Sequence, residues 1–361
     1  MKTVKILGIE SSCDETAASV VQADTTTHEL TLLSNVVATS MDLHAQFGGV
    51  VPEIAARSHI ESIMPVISQA LKDASCTWDD IDGIAVTYGA GLGGSLLVGV
   101  LTARTLAILK NKPLYAINHV EGHVYANFLT NTSLPGYTLP QAAPQFPLLA
   151  LIVSGGHSQL AYFTDHFNYR LLGQTQDDAI GEAFDKVAKI LGLPYPGGPS
   201  VSKKALEGDP MAFSLPKARM KGAYDFSFSG LKTAVLRLAQ EVTGNDFSLP
   251  STALPNLLQD SQKADIAASF QRVAVETVVD KTMQAFEELR PKNVVIAGGV
   301  AASPELRRQL RERLPIEIAY TDPKLCTDNG AMVASLGCFH HLLGRPTADP
   351  YTLETAPNLS M

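Results

Sequence analysis

The chain has 361 residues, 45% hydrophobic and 18% charged, and a formal net charge of −8; this suits one large domain or two lobes and excludes a disordered majority. The negative balance argues against a stand-alone nucleic-acid binder, because phosphate contacts supply most of that affinity. No apolar run approaches the roughly 18–20 residues that cross a bilayer, and four scattered cysteines without a Cys-x-x-Cys pair point to a reducing, cytosolic setting.

Residues 4–10 form an apolar strand pattern (Val4, Ile6, Leu7, Ile9) with no leader-like features. It ends in the polar turn Ser11-Ser12-Cys13-Asp14-Glu15-Thr16, and a second strand follows over residues 17–21. The spacing of Ile60, Ile63, Met64, Ile67, Ala70 and Leu71 predicts an amphipathic helix over residues 59–73. Residues 92–110 read as a buried helix, entered through the glycine-rich segment Gly89-Ala90-Gly91. Residues 130–147 read as a connector.

The opening pattern then repeats. A strand over residues 148–153 runs into Ser154-Gly155-Gly156-His157-Ser158 and a return strand over 159–163. Two such hairpins, alternating with helical segments, predict an α/β layout of two similar lobes facing a cleft. Helices follow at 179–191 and 264–289, with a loop at 248–260. Residues 316–320 look strand-like, and a small-residue helix covers 331–342. The basic stretches Lys203-Lys204, 217–221 and 307–313 read as solvated faces.

His119-Val120-Glu121-Gly122-His123 places two imidazoles four residues apart on one helix face, where they can share a metal. A zinc protease needs its glutamate one position after the first histidine. Here Glu121 lies two positions on, about 200° around the helix, and points away. Asp328, just before the last helix, is the candidate third ligand, with a helix N-cap as its other reading. The turn at Ser154-Gly155-Gly156-His157 can offer amides to a phosphate. Gly298-Gly299, after Ile296-Ala297, forms a strand–glycine–helix corner of the kind that receives adenosine. Asp185 can hydrogen-bond ribose hydroxyls or pair with Lys189, and Pro196-Gly197-Gly198-Pro199 reads as a rigid turn.

These motifs come together in one family. Leu7-Gly8-Ile9-Glu10-Ser11-Ser12-Cys13-Asp14-Glu15-Thr16, the 119–123 segment, the 153–157 turn, residues 181–186, Asp225-Phe226-Ser227-Phe228-Ser229-Gly230-Leu231-Lys232 and residues 326–330 occur in order. Together they resemble the universal tRNA threonylcarbamoyltransferases in their bacterial form, once described as glycoproteases, over about residues 4–340. The resemblance implies a two-lobed actin-like ATPase fold (Hsp70 and sugar-kinase superfamily) with a duplicated core. Its expected parts are an N-terminal lobe over 1–129, the connector over 130–147, and a nucleotide-binding lobe over 148–330. A terminal helix over 331–346 would pack back toward the first lobe.

The resemblance also implies transfer of a threonylcarbamoyl group from threonylcarbamoyl-AMP to the exocyclic amine of adenosine 37 of ANN-decoding tRNAs, releasing AMP in the cytoplasm. One divalent metal, Fe(II) with zinc as the alternative, is implied at His119, His123 and Asp328. Val153, Ser154, Gly155, Gly156 and His157 would hold the acyl-adenylate, with Asp185, Gly198 and Ser303 around its ribose and base. A shorter metal-free paralogue and a P-loop ATPase are the implied partners. Ser303 stands where the family has asparagine, and Ala90 where it has proline. Asp14 or Glu15 is the candidate for handling the amine proton. The competing readings are a kinase or ATPase of the same fold, a metallopeptidase, and a non-catalytic scaffold.

Overall fold

The computed structural model describes residues 2–361, which divide into two compact units, Met1–Pro144 with Ala319–Met361, and Gln145–Ile318.

The first unit is built on a hairpin. Strand β1 (Thr3–Glu10) pairs antiparallel with β2 (Glu15–Asp24), from Thr3 opposite Asp24 to Glu10 opposite Ala17. Strand β3 (Leu30–Thr39) continues antiparallel to β2. After α1 (Met41–Ala45) and α2 (Pro52–Asp73), β4 (Gly83–Gly89) lies parallel to β1. Helix α3 (Gly93–Lys110) leads to β5 (Leu114–Asn118), parallel to β4; α4 (His119–Tyr125) and β6 (Leu129–Thr132) follow. The sheet order is β5-β4-β1-β2-β3-β6. Alternation along β1 sends Leu7 and Ile9 into the core beneath α2 and α3, where Ile63, Ile67, Val100 and Ala103 meet them.

The second unit repeats the device. Strand β7 (Leu148–Val153) pairs antiparallel with β8 (Ser158–Asp165), and β8 with β9 (Asn168–Gln174). Its helices are α5 (Ile180–Leu191), α6 (Gly197–Ala205), α7 (Ser229–Val242), the single turn α8 (Leu254–Leu257) and the long α9 (Asp260–Leu289). Strand β10 (Asn293–Ala297) then lies parallel to β7, and α10 (Pro304–Arg313) follows; the order is β10-β7-β8-β9. Each sheet thus holds two antiparallel steps and a parallel partner for the hairpin's first strand, which is the duplicated core.

The chain then returns to the first unit. Helix α11 (Gly330–Leu342) lies on β1, β2 and β4. The approach is close enough that a Cβ on Gly8 would stand 2.4 Å from the Gly330 carbonyl and the Ala334 amide. The last segment follows the same unit: Ala348 N–H donates to Leu114 O at 2.8 Å, and Ala356 N–H to Tyr88 O at 2.7 Å. Arg104 donates to the carbonyls of Pro350, Tyr351 and Leu353.

Several expected elements differ. The second compact unit ends at Ile318, and β6 starts one residue ahead of the expected connector and runs into it. Residues 316–320 form no strand; Leu314 and Ile318 are buried between exposed neighbours in an extended segment without a ladder. The expected loop at 248–260 contains the α8 turn, and α2 starts at Pro52, a residue suited to a first helical position. The 196–199 turn is the start of α6. Helix α3 is, by length and composition, apolar enough to span a membrane, contrary to the reading that no run comes close. Its Leu96, Val100 and Ala103 are buried in the unit, while Leu97 and Leu101 are about half exposed, at 49% and 46%. It is a core helix with one bare apolar face.

Candidate functional site

Helix α4 starts directly from β5, and Asn118 Oδ1 caps it by accepting the amides of Val120 (2.9 Å) and Glu121 (3.3 Å). One turn of helix then sets His119 and His123 side by side, with ring centroids 4.7 Å apart. At the head of α11 the cap is Asn329, whose Oδ1 accepts the Met332 amide at 3.0 Å. The capping alternative for Asp328 is therefore filled by its neighbour. Asp328 Oδ1 lies 3.2 Å from His123 Nε2 and 3.6 Å from His119 Nε2. All three residues belong to the first unit. The carboxylate was expected from the second lobe, but the chain has already returned by residue 319.

These donors fit a single metal ion. Their candidate ligand atoms lie within 4.8 Å of one another, and bonds of about 2.0–2.2 Å to nitrogen and oxygen set ligand atoms roughly 3–3.5 Å apart. Both ring nitrogens of His123 are buried with no hydrogen-bond partner. Nε2 is near Asp328, yet that approach lacks hydrogen-bond geometry, the arrangement expected of two ligands that share an ion. Burial alone would lower the His119 pKa, but the carboxylates of Asp328 and Glu10 outweigh it and lift it to about 9. Glu121 is outside the donor set. Burial, opposed by Arg345, raises its pKa to about 7, and its Oε1 is buried with no partner.

The sequence reading missed Glu10. Fully buried at the end of β1, it accepts the Ser12 amide on Oε1 (2.6 Å) and the Thr87 hydroxyl on Oε2 (2.6 Å). Oε2 also lies 3.3 Å from His119 Nδ1. Its signal was a charged residue directly after the apolar run Ile6-Leu7-Gly8-Ile9.

The adjoining 13–16 turn is tied down on two sides. Ser40 Oγ donates to Asp14 O (2.8 Å), and His59 bridges Cys13 O (3.0 Å) and Thr16 Oγ1 (2.7 Å). Burial, then Asp328 and Asp14, push the Glu15 carboxyl up to about 10. In the metal-free chain Glu15 therefore holds its proton at neutral pH.

In the second unit, the 153–157 turn closes on itself: Ser154 N–H donates to His157 O (2.8 Å), and His157 N–H to Ser154 Oγ (3.1 Å). Ser154 thus has no amide left for a phosphate, contrary to the simplest reading of the turn. The amides of Gly155 and Gly156 take no partner among the described residues, and the space beside both Cα atoms is open.

The start of α5 and the β10 corner press against this turn. Gly181 N–H donates to Ser154 O at 3.2 Å. Gly298, at φ +87°, would carry any Cβ 2.4 Å from Val153 O, so glycine serves there both for its conformation and for the close approach. Asp185 Oδ1 accepts the Gly197 amide at 2.7 Å, joining α5 to the head of α6, where Gly198 faces open space. Ser303 caps α10, its Oγ accepting the Leu306 amide at 3.4 Å. In the 307–313 stretch, read as a solvated face, Arg308 pairs with Glu305 and Glu312, and Arg313 with Asp280.

Comparison with known proteins adds the family. A family model described as tRNA N6-adenosine threonylcarbamoyltransferase (TsaD) matches residues 31–335. The protein of that name from Symbiobacterium thermophilum is 50% identical over 337 residues, 92% of this chain and 91% of the relative. The one from Thermomicrobium roseum is 47% identical over 366 residues, 99% of this chain and 96% of the relative. Among solved structures, full-length HypF in its phosphate- and nucleotide-bound form matches with a TM-score of 0.54 at 13% identity, covering 94% of this chain and 46% of that one. That likeness supports the actin-like ATPase fold. With the family model spanning most of its length and close relatives matched end to end, the chain belongs to the tRNA N6-adenosine threonylcarbamoyltransferase family.

Proposed function

We propose that this chain moves the threonylcarbamoyl group of threonylcarbamoyl-AMP onto the exocyclic amine of adenosine 37 in ANN-decoding tRNAs, in the cytoplasm. In the transfer, the amine nitrogen forms a bond to the carbamoyl carbon and loses a proton. The carbon–oxygen bond to phosphate breaks, and AMP leaves with the electron pair. The observation that carries the reading is the near-full-length identity to transferases of this name.

Within this reading, the amides of Gly155 and Gly156 hold the adenylate phosphate, supported by their open side and unengaged N–H groups. Asp185, with the head of α6 at Gly198, is assigned to the ribose. Ser303 still has its hydroxyl proton to donate toward the base while its oxygen caps α10. Val153 and His157 frame the turn. Asp14 accepts the amine proton, and Glu15, protonated, donates a hydrogen bond beside it. His119, His123 and Asp328 are the residues to hold a cation, and two imidazoles with one carboxylate suit Fe(II), with Zn(II) as the alternative. When bound, such an ion supplies Lewis-acid polarisation of a carbonyl or phosphoryl oxygen.

The net charge of −8 and the paired arginines of α10 suggest that partners help hold the tRNA. The half-exposed Leu97 and Leu101 of α3, with Ile60 (66% exposed) and Met64 (47%) of α2, are the surface we assign to the shorter paralogue; a P-loop ATPase completes the proposed complex. Loss of co-purification in a Leu97→Glu, Leu101→Glu chain is the expected result, and intact pairing would refute that surface.

The kinase reading lacks a use for the histidine pair, and the peptidase reading finds no base at Glu121. The deciding experiment incubates the chain and its partners with threonylcarbamoyl-AMP and unmodified tRNA, then measures the modified nucleoside by mass spectrometry. Absence of product, alongside ATP turnover independent of tRNA, would transfer the assignment to the kinase class.

A further inference from the structure

Glu10 has the surroundings of a group that orients a metal-ligating histidine. It is fully buried on β1, 109 residues from His119 in sequence, with Oε2 at 3.3 Å from His119 Nδ1. Its two oxygens are fixed by separate donors, the Ser12 amide and the Thr87 hydroxyl, each at 2.6 Å. Thr87, on β4 beside β1, is itself fully buried. The carboxylate therefore cannot turn, and what it offers the imidazole is a fixed acceptor.

That acceptor bears on which nitrogen of His119 faces Asp328. An imidazole that donates its Nδ1 proton to a carboxylate presents the Nε2 lone pair on its other side. Nε2 is the atom that stands 3.6 Å from Asp328 Oδ1. The Ser12 hydroxyl also lies 3.0 Å from Nδ1, but a hydroxyl can donate as well as accept and so does not fix the tautomer. An ionised carboxylate only accepts.

We propose that Glu10, held by Thr87 and the Ser12 amide, is a positioning residue that fixes His119 with its Nε2 lone pair directed at the cation site. The inference rests on the metal reading of His119, His123 and Asp328. Glutamine at this position keeps the shape but presents an amide donor where Ser12 N–H, Thr87 O–H and Nδ1–H all need an acceptor. Valine for Thr87 keeps the volume and removes one of the anchors.

The test is Zn(II) affinity by competition with a chromophoric chelator, run on wild type, Glu10→Gln, Thr87→Val and Ser12→Ala, with nitrogen-15 spectra of the Zn(II)-loaded wild-type histidines. The expected results are a loss of about 10–100-fold in Glu10→Gln, a smaller loss in Thr87→Val, and a His119 signal protonated at Nδ1 and metal-bound at Nε2. Affinities within twofold of wild type in both Glu10→Gln and Thr87→Val would overturn the proposal, as would loss in Ser12→Ala alone. If Glu10→Gln does not fold, Thr87→Val and the wild-type spectrum decide, and metal on Nδ1 overturns the idea. Wild type that takes up no Zn(II) would instead bring down the metal reading itself.

Discussion

His119 lies between two carboxylates, Glu10 on its Nδ1 side and Asp328 on its Nε2 side. Burial disfavours the charged ring, yet these neighbours lift its pKa from 6.5 to about 9. In the metal-free chain the imidazolium therefore adds stability that is fully present below pH 6.5 and is lost as pH rises through 9. A cation must displace that proton, so Zn(II) affinity should climb between pH 6.5 and 9 and then level off. A flat profile across that window, measured by chelator competition, would contradict the electrostatic picture.

Glu121 obeys the same linkage in the same direction, over a lower pH window. Burial lifts it from 4.5 to about 7, so the native state loses stability as pH rises through that interval. Glu121→Gln should stabilise the chain by about 1–3 kcal/mol at pH 8, each pKa unit being worth about 1.4 kcal/mol, and by nothing below pH 4.5. Calorimetric melting temperatures at the two pH values check this.

At the scale of elements, the site depends on how closely α11 lies on β1. A methyl at Gly8 would meet backbone atoms of Gly330 and Ala334 at 2.4 Å, and backbone cannot swing aside as a side chain can. Gly8→Ala should cost about 1–3 kcal/mol or more and displace Asp328, two residues before α11. Thermal unfolding and Zn(II) binding should fall together; loss of stability with unchanged Zn(II) affinity would show that the site does not depend on this packing.

The helices and hairpins were legible in the sequence because their signals are local. Four-residue spacing placed His119 and His123 on one face of α4, and apolar runs ending in polar turns marked β1 and β7. Glu10 escaped because its partner is 109 residues away, and spacing rules carry no information at that range. Residues 316–320 misled for a related reason: alternate burial mimics a strand, but a strand also needs a neighbouring ladder. Asp328 was named as a ligand but assigned to the wrong lobe, because nothing in the local pattern marks the point where a chain crosses back to its first unit.

At the scale of the molecule, two hairpin-based units carry different chemistry. The first holds the imidazole–carboxylate set and the 13–16 turn; the second holds the 153–157 turn and its glycine contacts. The final segment of the chain belongs to the first unit and is secured by Arg104 through three backbone carbonyls. It then runs past Gly91, whose N–H donates to Pro357 O at 3.1 Å, to Asn118, whose side-chain amide donates to Ser360 O at 3.1 Å. Because Asn118 is the cap of α4, this segment borders the helix that carries both histidines. Arg104→Ala should lower stability by about 1.5–3 kcal/mol, the range for hydrogen bonds to a charged group, and open the 350–353 region to limited proteolysis. Unchanged protease resistance would mean that the other contacts suffice.

A reaction centre at His119, His123 and Asp328 makes threonylcarbamoyl transfer depend on each of these side chains. Single-turnover transfer from preformed threonylcarbamoyl-AMP to unmodified tRNA, with the partner subunits present, compares wild type with His123→Ala. The expected result is modified adenosine in the wild type and a rate at least about a hundredfold lower in the variant, the several kcal/mol that Lewis-acid stabilisation supplies. Transfer at the wild-type rate by His123→Ala would contradict it.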